Sequence, residues 1–317
     1  MKNHYIMIRK VILLLAVLFA IALLIYTSGI TISDEQWLIL IQGTKIMAII
    51  SFACFVISEL TKNYSQTDKI WSLAPILYTW FFAWKAGFDS RTVLMAVLVS
   101  VWGLRLTYNF ARKGGYHIIP WKGEEDYRWA VLREMPLLKG RIRWGLFNLI
   151  FISFYQNALI LLFTLPSVAA TNPANTSLNW IDALAAILFL GFVVTETIAD
   201  QQQYNYQIEK HRKIKSGEAL NDNQVLGFLN KGLWGIVRHP NYAAEQAIWI
   251  CYYLFSVAAT GKWFNWSIAG AILLVLLFLG SSGFSEKISA GKYPEYKYYQ
   301  TTVPRFVPRI FRKSKEP

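Results

Sequence analysis

Charge is scarce in this chain. Only 16% of its 317 residues are Asp, Glu, Lys or Arg, against about 25% in a soluble domain. That shortage argues against a protein whose whole surface meets water. Cysteine is scarcer still. Cys54 and Cys251 both fall within apolar runs, which excludes a disulfide framework and suggests neither a metal site nor a thiol nucleophile. The histidines His4, His117, His211 and His239 show no metal-ligand spacing, so no metal is expected. No Gly-Lys-Ser/Thr phosphate loop and no Gly-x-Gly-x-x-Gly fingerprint occurs, and a soluble-type nucleotide fold is therefore not indicated. Internal repeats, low-complexity tracts and nucleic-acid motifs are also missing, so nucleic acid is not an expected partner.

What the chain does have is apolar sequence gathered into long runs. Hydrophobic residues make up 55% of it. Eight segments of spanning length can be drawn, roughly 11–28, 43–60, 70–88, 92–109, 145–165, 180–199, 244–260 and 264–282. Each is near the ~20 residues a helix needs to cross the hydrocarbon core. The runs are continuous rather than alternating, so the expectation is an all-α transmembrane bundle and not a barrel. The last two segments are short and close, as in a tight hairpin. The first run follows Lys2, Arg9 and Lys10 like a signal peptide, but it is long, lacks a small-residue cleavage site and precedes many further spans; it is expected to be retained. Residues 1–64 are expected to form N-terminal transmembrane helices, and 65–317 a single membrane domain.

Loop charge orients the bundle. The 29–42 and 166–179 loops hold no Lys or Arg, whereas 110–144, 200–243 and the tail after 304 are rich in both. With eight spans every basic segment falls on one side. The positive-inside rule then places both termini in the cytoplasm. The net charge of +13 follows from this bias and from anionic headgroups, or from a phosphate-bearing ligand on the same face.

Four stretches carry polar groups where an apolar protein should have few. The first is Gly232-Leu233-Trp234-Gly235-Ile236-Val237-Arg238-His239-Pro240-Asn241-Tyr242, with Glu245 after it. Pro240 suits a first helical turn, and a helix start beside Arg238 and His239 can receive an anion. Asn241 and Glu245 share a face and could bind an amide, a ribose or each other. The second is the stripe Glu196, Asp200, Gln203 and Gln207. Carboxylates at membrane depth are expensive and face cavities, and these also oppose the helix dipole. The plain alternative is an internal ion pair, such as Asp200 with Arg238. The third joins Asp68 and Trp71 to Trp102-Gly103-Leu104-Arg105-Leu106, with Gly123-Glu124-Glu125-Asp126-Tyr127-Arg128 beyond. Arg105 lies in an apolar run and needs a counter-charge; Asp68, across a close hairpin, is the expected one. The fourth is Glu286 followed by Tyr293-Pro294-Glu295-Tyr296-Lys297, then Pro304 and Pro308. It can close over a ligand or lie in the interface as an anchor.

In order and spacing these motifs resemble the membrane-reductase superfamily of steroid 5-alpha-reductases, specifically its bacterial DUF1295 branch. The likeness covers roughly 65–308. It implies a helical membrane enzyme holding NADPH in a cavity open to the cytoplasm, in a bacterial inner membrane. It further implies that Glu196, Asp200, Asn241, Glu245 and Lys297 hold the cofactor; Gln203 of the stripe, Arg238, His239 and Tyr242 at the helix start and Tyr293 of the tail are further candidate contacts. Asp68, Trp102 and Arg105 then stand at the catalytic positions. Two departures are plain. Glu196 stands where steroid reductases have Asn, and Trp102 stands where they have a catalytic Tyr. An indole can donate a hydrogen bond but is no proton source, and Tyr78 and Tyr108 are the substitutes at hand. The implied reaction is reduction of a C=C bond in a lipophilic, steroid- or isoprenoid-like substrate drawn from the bilayer. Arg-His-Pro-x-Tyr with a downstream Glu also resembles S-adenosylmethionine-dependent isoprenylcysteine carboxyl methyltransferases. A non-catalytic lipid-binding protein is the third reading.

Overall fold

The computed structural model describes residues 32–117, 119, 123–171 and 177–309. The apolar run at 11–28, with its flanking Lys2, Arg9 and Lys10, lies outside the described residues. Among those described, regular structure is entirely helical.

Helix α1, Asp34–Thr61, begins earlier than the apolar run at 43–60 because Ser33 caps it: the Gln36 amide donates to Ser33 Oγ at 3.2 Å, and Gln36 reaches back to the Ser33 amide. The run at 70–88 is divided. A short α2, Gln66–Ile70, is followed by a turn, and α3, Ala74–Lys85, restarts with Pro75 in its first turn. At 1.5 Å per residue α3 is only about 18 Å long, too short to cross a bilayer unaided. Helix α4, Ser90–Ala111, is capped by Asp89. A short α5, Tyr127–Arg133, precedes α6, Arg141–Ala170, whose stretch Asn148–Tyr155 is wound as a π-helix. Helix α7, Trp180–Ser216, runs 37 residues and extends well beyond a bilayer's thickness. The small turns α8, Asp222–Val225, and α9, Leu233–Ile236, lead to α10, Pro240–Thr260. Residues 261–265 then turn the chain into α11, Ala269–Lys292, and the bundle ends with α12, Tyr296–Thr302. The expected close hairpin between the last two apolar segments is present.

Five described helices are long and apolar enough to cross a membrane: α1, α4, α6, α7 and the Trp266–Lys292 stretch containing α11. Their outer faces carry exposed large apolar side chains. On α7 these are Trp180, Leu184, Ile187, Val194 and Ile198, while Ala185, Phe189, Val193, Glu196 and Asp200 point into the protein. An apolar exterior of this extent is a surface for lipid, not water. Helix α10 is the enclosed one. It packs along α7 and against the end of α6, and Ile248, Trp249, Tyr252 and Phe255 on it are fully buried. Around it Trp102, Phe163, Phe189 and Leu274 complete the main core.

Candidate functional site

Helices α4 and α7 run side by side, and α10 closes against both at the end of the bundle where the basic loops gather. Gly103 lets α4 approach α3. A β-carbon there would stand 2.5 Å from the Ser72 carbonyl oxygen, and Ser72 and Thr107 hydroxyls meet at 2.7 Å just beyond. This packing turns Trp102, Arg105 and Asn109 of α4 inward.

Arg105 is the centre of the site. Its Nη1 lies 2.8 Å from Asp200 Oδ2, and its Nη2 contacts Glu196 Oε2. The counter-charges therefore come from α7. The expected partner, Asp68, is elsewhere: its Oδ2 accepts from Trp129 Nε1 at 2.9 Å, beside Asp126 and Arg128. Asp68 does not pair with Arg105 because α4 packs in register with α7, a pairing that local sequence does not disclose. Burial, and then the neighbouring Asp126 charge, raise the Asp68 carboxyl above the ordinary aspartate range.

Asp200 gathers donors from three sides. Besides Arg105 it accepts from Asn109 Nδ2 at 2.8 Å and from Asn241 Nδ2 at 3.4 Å. Glu245, one turn after Asn241, accepts from Trp102 Nε1 at 2.8 Å and from Trp249 Nε1 at 3.1 Å. Asn241 and Glu245 thus face the stripe on α7 rather than each other. Below the charges lies an aromatic wall. Trp102 meets Trp249 edge-on with centroids 5.0 Å apart, and Trp249 packs on Phe163 at 4.0 Å. Apart from Arg105 Nη2 and Glu196 Oε2, which pair with each other, three buried polar atoms in this neighbourhood find no hydrogen-bond partner among the described residues: Arg105 Nε, Asn241 Oδ1 and Gln203 Oε1. A buried polar group left so is costly, and such groups are where a ligand's own donors and acceptors fit.

Gln203 also lines a groove of about 600 Å³ that opens between α7 and the end of α4, with Arg112, Lys113, Tyr204, His211, Arg212 and Lys215. The Arg112 guanidinium lies over the Tyr204 ring at 4.2 Å. Acceptors at the buried end and cations along the open one suit a ligand with hydroxyl or amide groups at one end and phosphates at the other. In that sense the residues fit a dinucleotide.

Other expected ligand residues serve the fold. Gly232 (φ 61°) sits where a β-carbon would meet the Gln202 amide, 2.6 Å from Oε1; Gln202 Oε1 accepts from the Leu233 amide at 3.0 Å, and Trp234 Nε1 donates to the Ala199 carbonyl at 3.0 Å. The motif's loop is thereby fastened to α7. Arg238 does not pair with Asp200. Its Nε donates to Glu286 Oε1 at 2.7 Å and its Nη1 to the carbonyls of Gln300 and Val303. His239 Nε2 lies 3.0 Å from the same carboxylate, and Arg305 Nη2 3.1 Å from its other oxygen. The amides of Arg238 and His239 donate to Pro304 and Arg305 carbonyls. Glu286 therefore straps the tail onto the start of α10, and the Arg238 donors are committed to that strap. Tyr242 stacks on His239 and packs on Phe278. Tyr293 packs on Phe228 in a satellite cluster with Tyr296 and Tyr299, and Lys297 is exposed. Neither Tyr293 nor Lys297 joins the Arg105 cluster. Of the substitute tyrosines, Tyr78 is fully buried with an unpartnered hydroxyl, and Tyr108 is exposed.

Sequence reasoning missed Asn109, Trp249 and Trp129. The first two had a signal: Asn109 lies one turn from Arg105 and Trp249 one turn from Glu245, on the faces already singled out. Trp129 had none, since only the docking of the 123–133 segment brings it to Asp68.

Comparison with known proteins adds a family but no activity. An uncharacterized protein of Schizosaccharomyces pombe is 35% identical over 285 residues, covering 85% of this chain and 80% of that protein. No solved structure matches. Residues 54–303 match the family described as "Protein of unknown function (DUF1295)", and the chain belongs to that family.

Proposed function

We propose that this protein is a membrane-embedded, NADPH-dependent reductase of a C=C bond in a lipophilic, steroid- or isoprenoid-like substrate, and a member of the steroid 5-alpha-reductase superfamily. It crosses the bilayer about eight times, with α2 and α3 together making one of the crossings and with both termini and the site facing the cytoplasm; in a bacterial cell that bilayer is the inner membrane. One observation carries the reading. Asn241, whose Nδ2 donates to Asp200 at 3.4 Å, keeps a buried, unpartnered Oδ1, and Gln203, one turn on from Asp200 along α7, keeps an unpartnered Oε1 and lines the basic groove.

Bound NADPH supplies a hydride. The chain's own residues do the rest. Asp200, Asn241 and Gln203 accept from ribose hydroxyls and the carboxamide, while Arg112, Lys113 and Lys215 hold phosphate oxygens. Trp102, Trp249 and Phe163 form an apolar wall that keeps water from the reacting bond. Trp102 Nε1 already donates to Glu245 and is not available to a substrate carbonyl. Arg105 is: two carboxylates fix its guanidinium, and its buried Nε–H has no acceptor among the described residues. It is the group placed to stabilise the enolate that hydride addition develops, and the proton that completes the reduction comes from solvent once the groove opens. Asp68, kept protonated more readily than an ordinary aspartate, shares no hydrogen bond with this cluster, so no step is assigned to it.

The test is titration of detergent-purified protein with NADPH, followed by thermal shift. Binding is expected in the wild type and is expected to be lost in Asp200→Ala and Asn241→Ala. Absence of binding, or equal binding by the variants, overturns the reading. A shift with S-adenosylmethionine alone points instead to a methyltransferase, and a copurified lipid with neither cofactor bound points to a non-catalytic lipid-binding protein.

A further inference from the structure

A second polar hollow lies where α1 ends and α6 begins, and it shares no residue with the Arg105 cluster or its groove. It has a volume of about 550 Å³ and is lined chiefly by Lys62, Tyr64, Arg133, Lys139, Arg141 and Trp144. Its wall is aromatic. The Arg133 guanidinium lies 4.8 Å from the Tyr64 ring and 5.1 Å from the Trp144 ring. Those two rings meet edge-on with centroids 5.1 Å apart. Arg133 Nη2 is held by Glu125 at 2.8 Å, which fixes the sandwich.

The unpaired groups here are donors. Trp144 is 4% exposed, and its Nε1–H is buried with no acceptor among the described residues; Arg133 Nε–H is in the same condition. Arg141 has no ion-pair partner among the described residues. The two acids that reach the hollow are already engaged: Glu59 by Asn148 Nδ2 at 2.9 Å and Lys62 at 3.3 Å, Glu134 by Lys139 at 3.4 Å. Three of the four cations are paired, Lys62 with Glu59, Arg133 with Glu125 and Lys139 with Glu134; Arg141 and the two orphan N–H groups are left asking for an anionic acceptor. The hollow also sits at the ends of two apolar spanning helices, the depth at which headgroups lie. Leu60 and Ile142 beside it are 78% and 79% exposed, so an apolar path runs alongside the cationic one.

We propose that this hollow binds an anionic phosphate ester, and the exposed apolar flanks favour one carried on a phospholipid. The phosphate takes the Trp144 and Arg133 N–H groups together with Lys62 and Arg141, and the acyl chains lie along Leu60 and Ile142.

Native mass spectrometry of the purified full chain, with phosphatidylglycerol or phosphatidylcholine added to the detergent, tests this. Phosphatidylglycerol is expected to be retained over phosphatidylcholine. The double variant Lys62→Gln/Arg141→Gln should weaken its retention about tenfold. Trp144→Phe, which keeps the ring and removes the donor, should weaken it about threefold. Lys262→Gln, in the exposed turn between α10 and α11, should leave it unchanged, and thermal unfolding of each variant controls for folding. Displacement of the lipid by glycerol 3-phosphate assigns the site to a soluble phosphate ester, and persistence of the lipid assigns it to the bilayer. Equal retention of the two lipids by wild type, or wild-type retention by the double variant, overturns the proposal.

Discussion

Two buried arginine clusters tie α4 to α7, and they are built on the same spacing. Arg91 and Arg105 lie fourteen residues apart on α4, and their partners Asp182 and Glu196 lie fourteen apart on α7. The helices therefore run parallel and in register, with the two rungs about 21 Å apart at 1.5 Å per residue. In other respects the rungs differ. Arg91 faces one carboxylate, which it meets at 2.8 and 3.0 Å, and donates also to the Ser177 carbonyl at 2.6 Å. Asp182 in turn closes the cap of α7 by accepting from the Asn179 amide at 2.8 Å. That rung is balanced in charge. At the other end one guanidinium contacts two carboxylates, with Glu245 close behind, and Arg105 Nε, Asn241 Oδ1 and Gln203 Oε1 have no partner among the described residues. A matched pair is a fastening. An unmatched one, retained at membrane depth despite its cost, is the candidate site.

Arg91→Ala leaves Asp182 buried and uncompensated, and the expected loss is about 3–5 kcal/mol of stability, read from denaturant unfolding in detergent. The NADPH affinity of the protein that remains folded should be unchanged. A loss no larger than that of an exposed ion pair would show that the first rung is no fastening. Asp200→Asn, nearly isosteric, is expected to weaken NADPH binding tenfold or more, about 1.4 kcal/mol, with a smaller effect on stability than Arg91→Ala. The reverse ranking of the two variants in stability would erase the distinction between the rungs.

Glu286→Gln probes a third case, a carboxylate that holds two guanidinium groups and an imidazole. Arg238, His239 and Arg305 lose their common anion, and the expected cost is about 1–3 kcal/mol. Amide hydrogen exchange should rise across 300–306 and the first turn of α10 before it rises in α7. The smallest effect concerns Asp68. Its raised pKa keeps it protonated after the same carboxyl in the unfolded chain has ionised. The stability it contributes is complete below about pH 3.9, the ordinary aspartate value, and is lost as pH rises toward the folded value. Asp68→Asn should flatten the fall in thermal midpoint from about pH 4 upward. An unchanged slope would mean that another group is responsible.

Much of the candidate site was visible along the chain. The Glu196–Asp200 stripe and the Asn241–Glu245 pair each lie on one helix face, and periodicity alone puts them there. Arg105 in an apolar run announced that a counter-charge must exist. Its identity was not visible. Asp68 is nearer in sequence, but the partners sit on α7, and the helix register chose them. Arg238 looked like a free phosphate ligand beside a helix start, yet Glu286, 48 residues away, takes it into the tail strap.

By itself the sequence determined that this is a helical membrane protein with polar groups gathered at one end, because burial of apolar residues in lipid is a local and additive property of each segment. Tertiary structure alone decided which acid neutralises which base. Such pairings need side chains from distant segments to meet within about 3 Å, and that depends on how helices pack, not on the residues each one carries. The indole of Trp102 meets Glu245 across 143 residues of chain, and only the fold makes them neighbours.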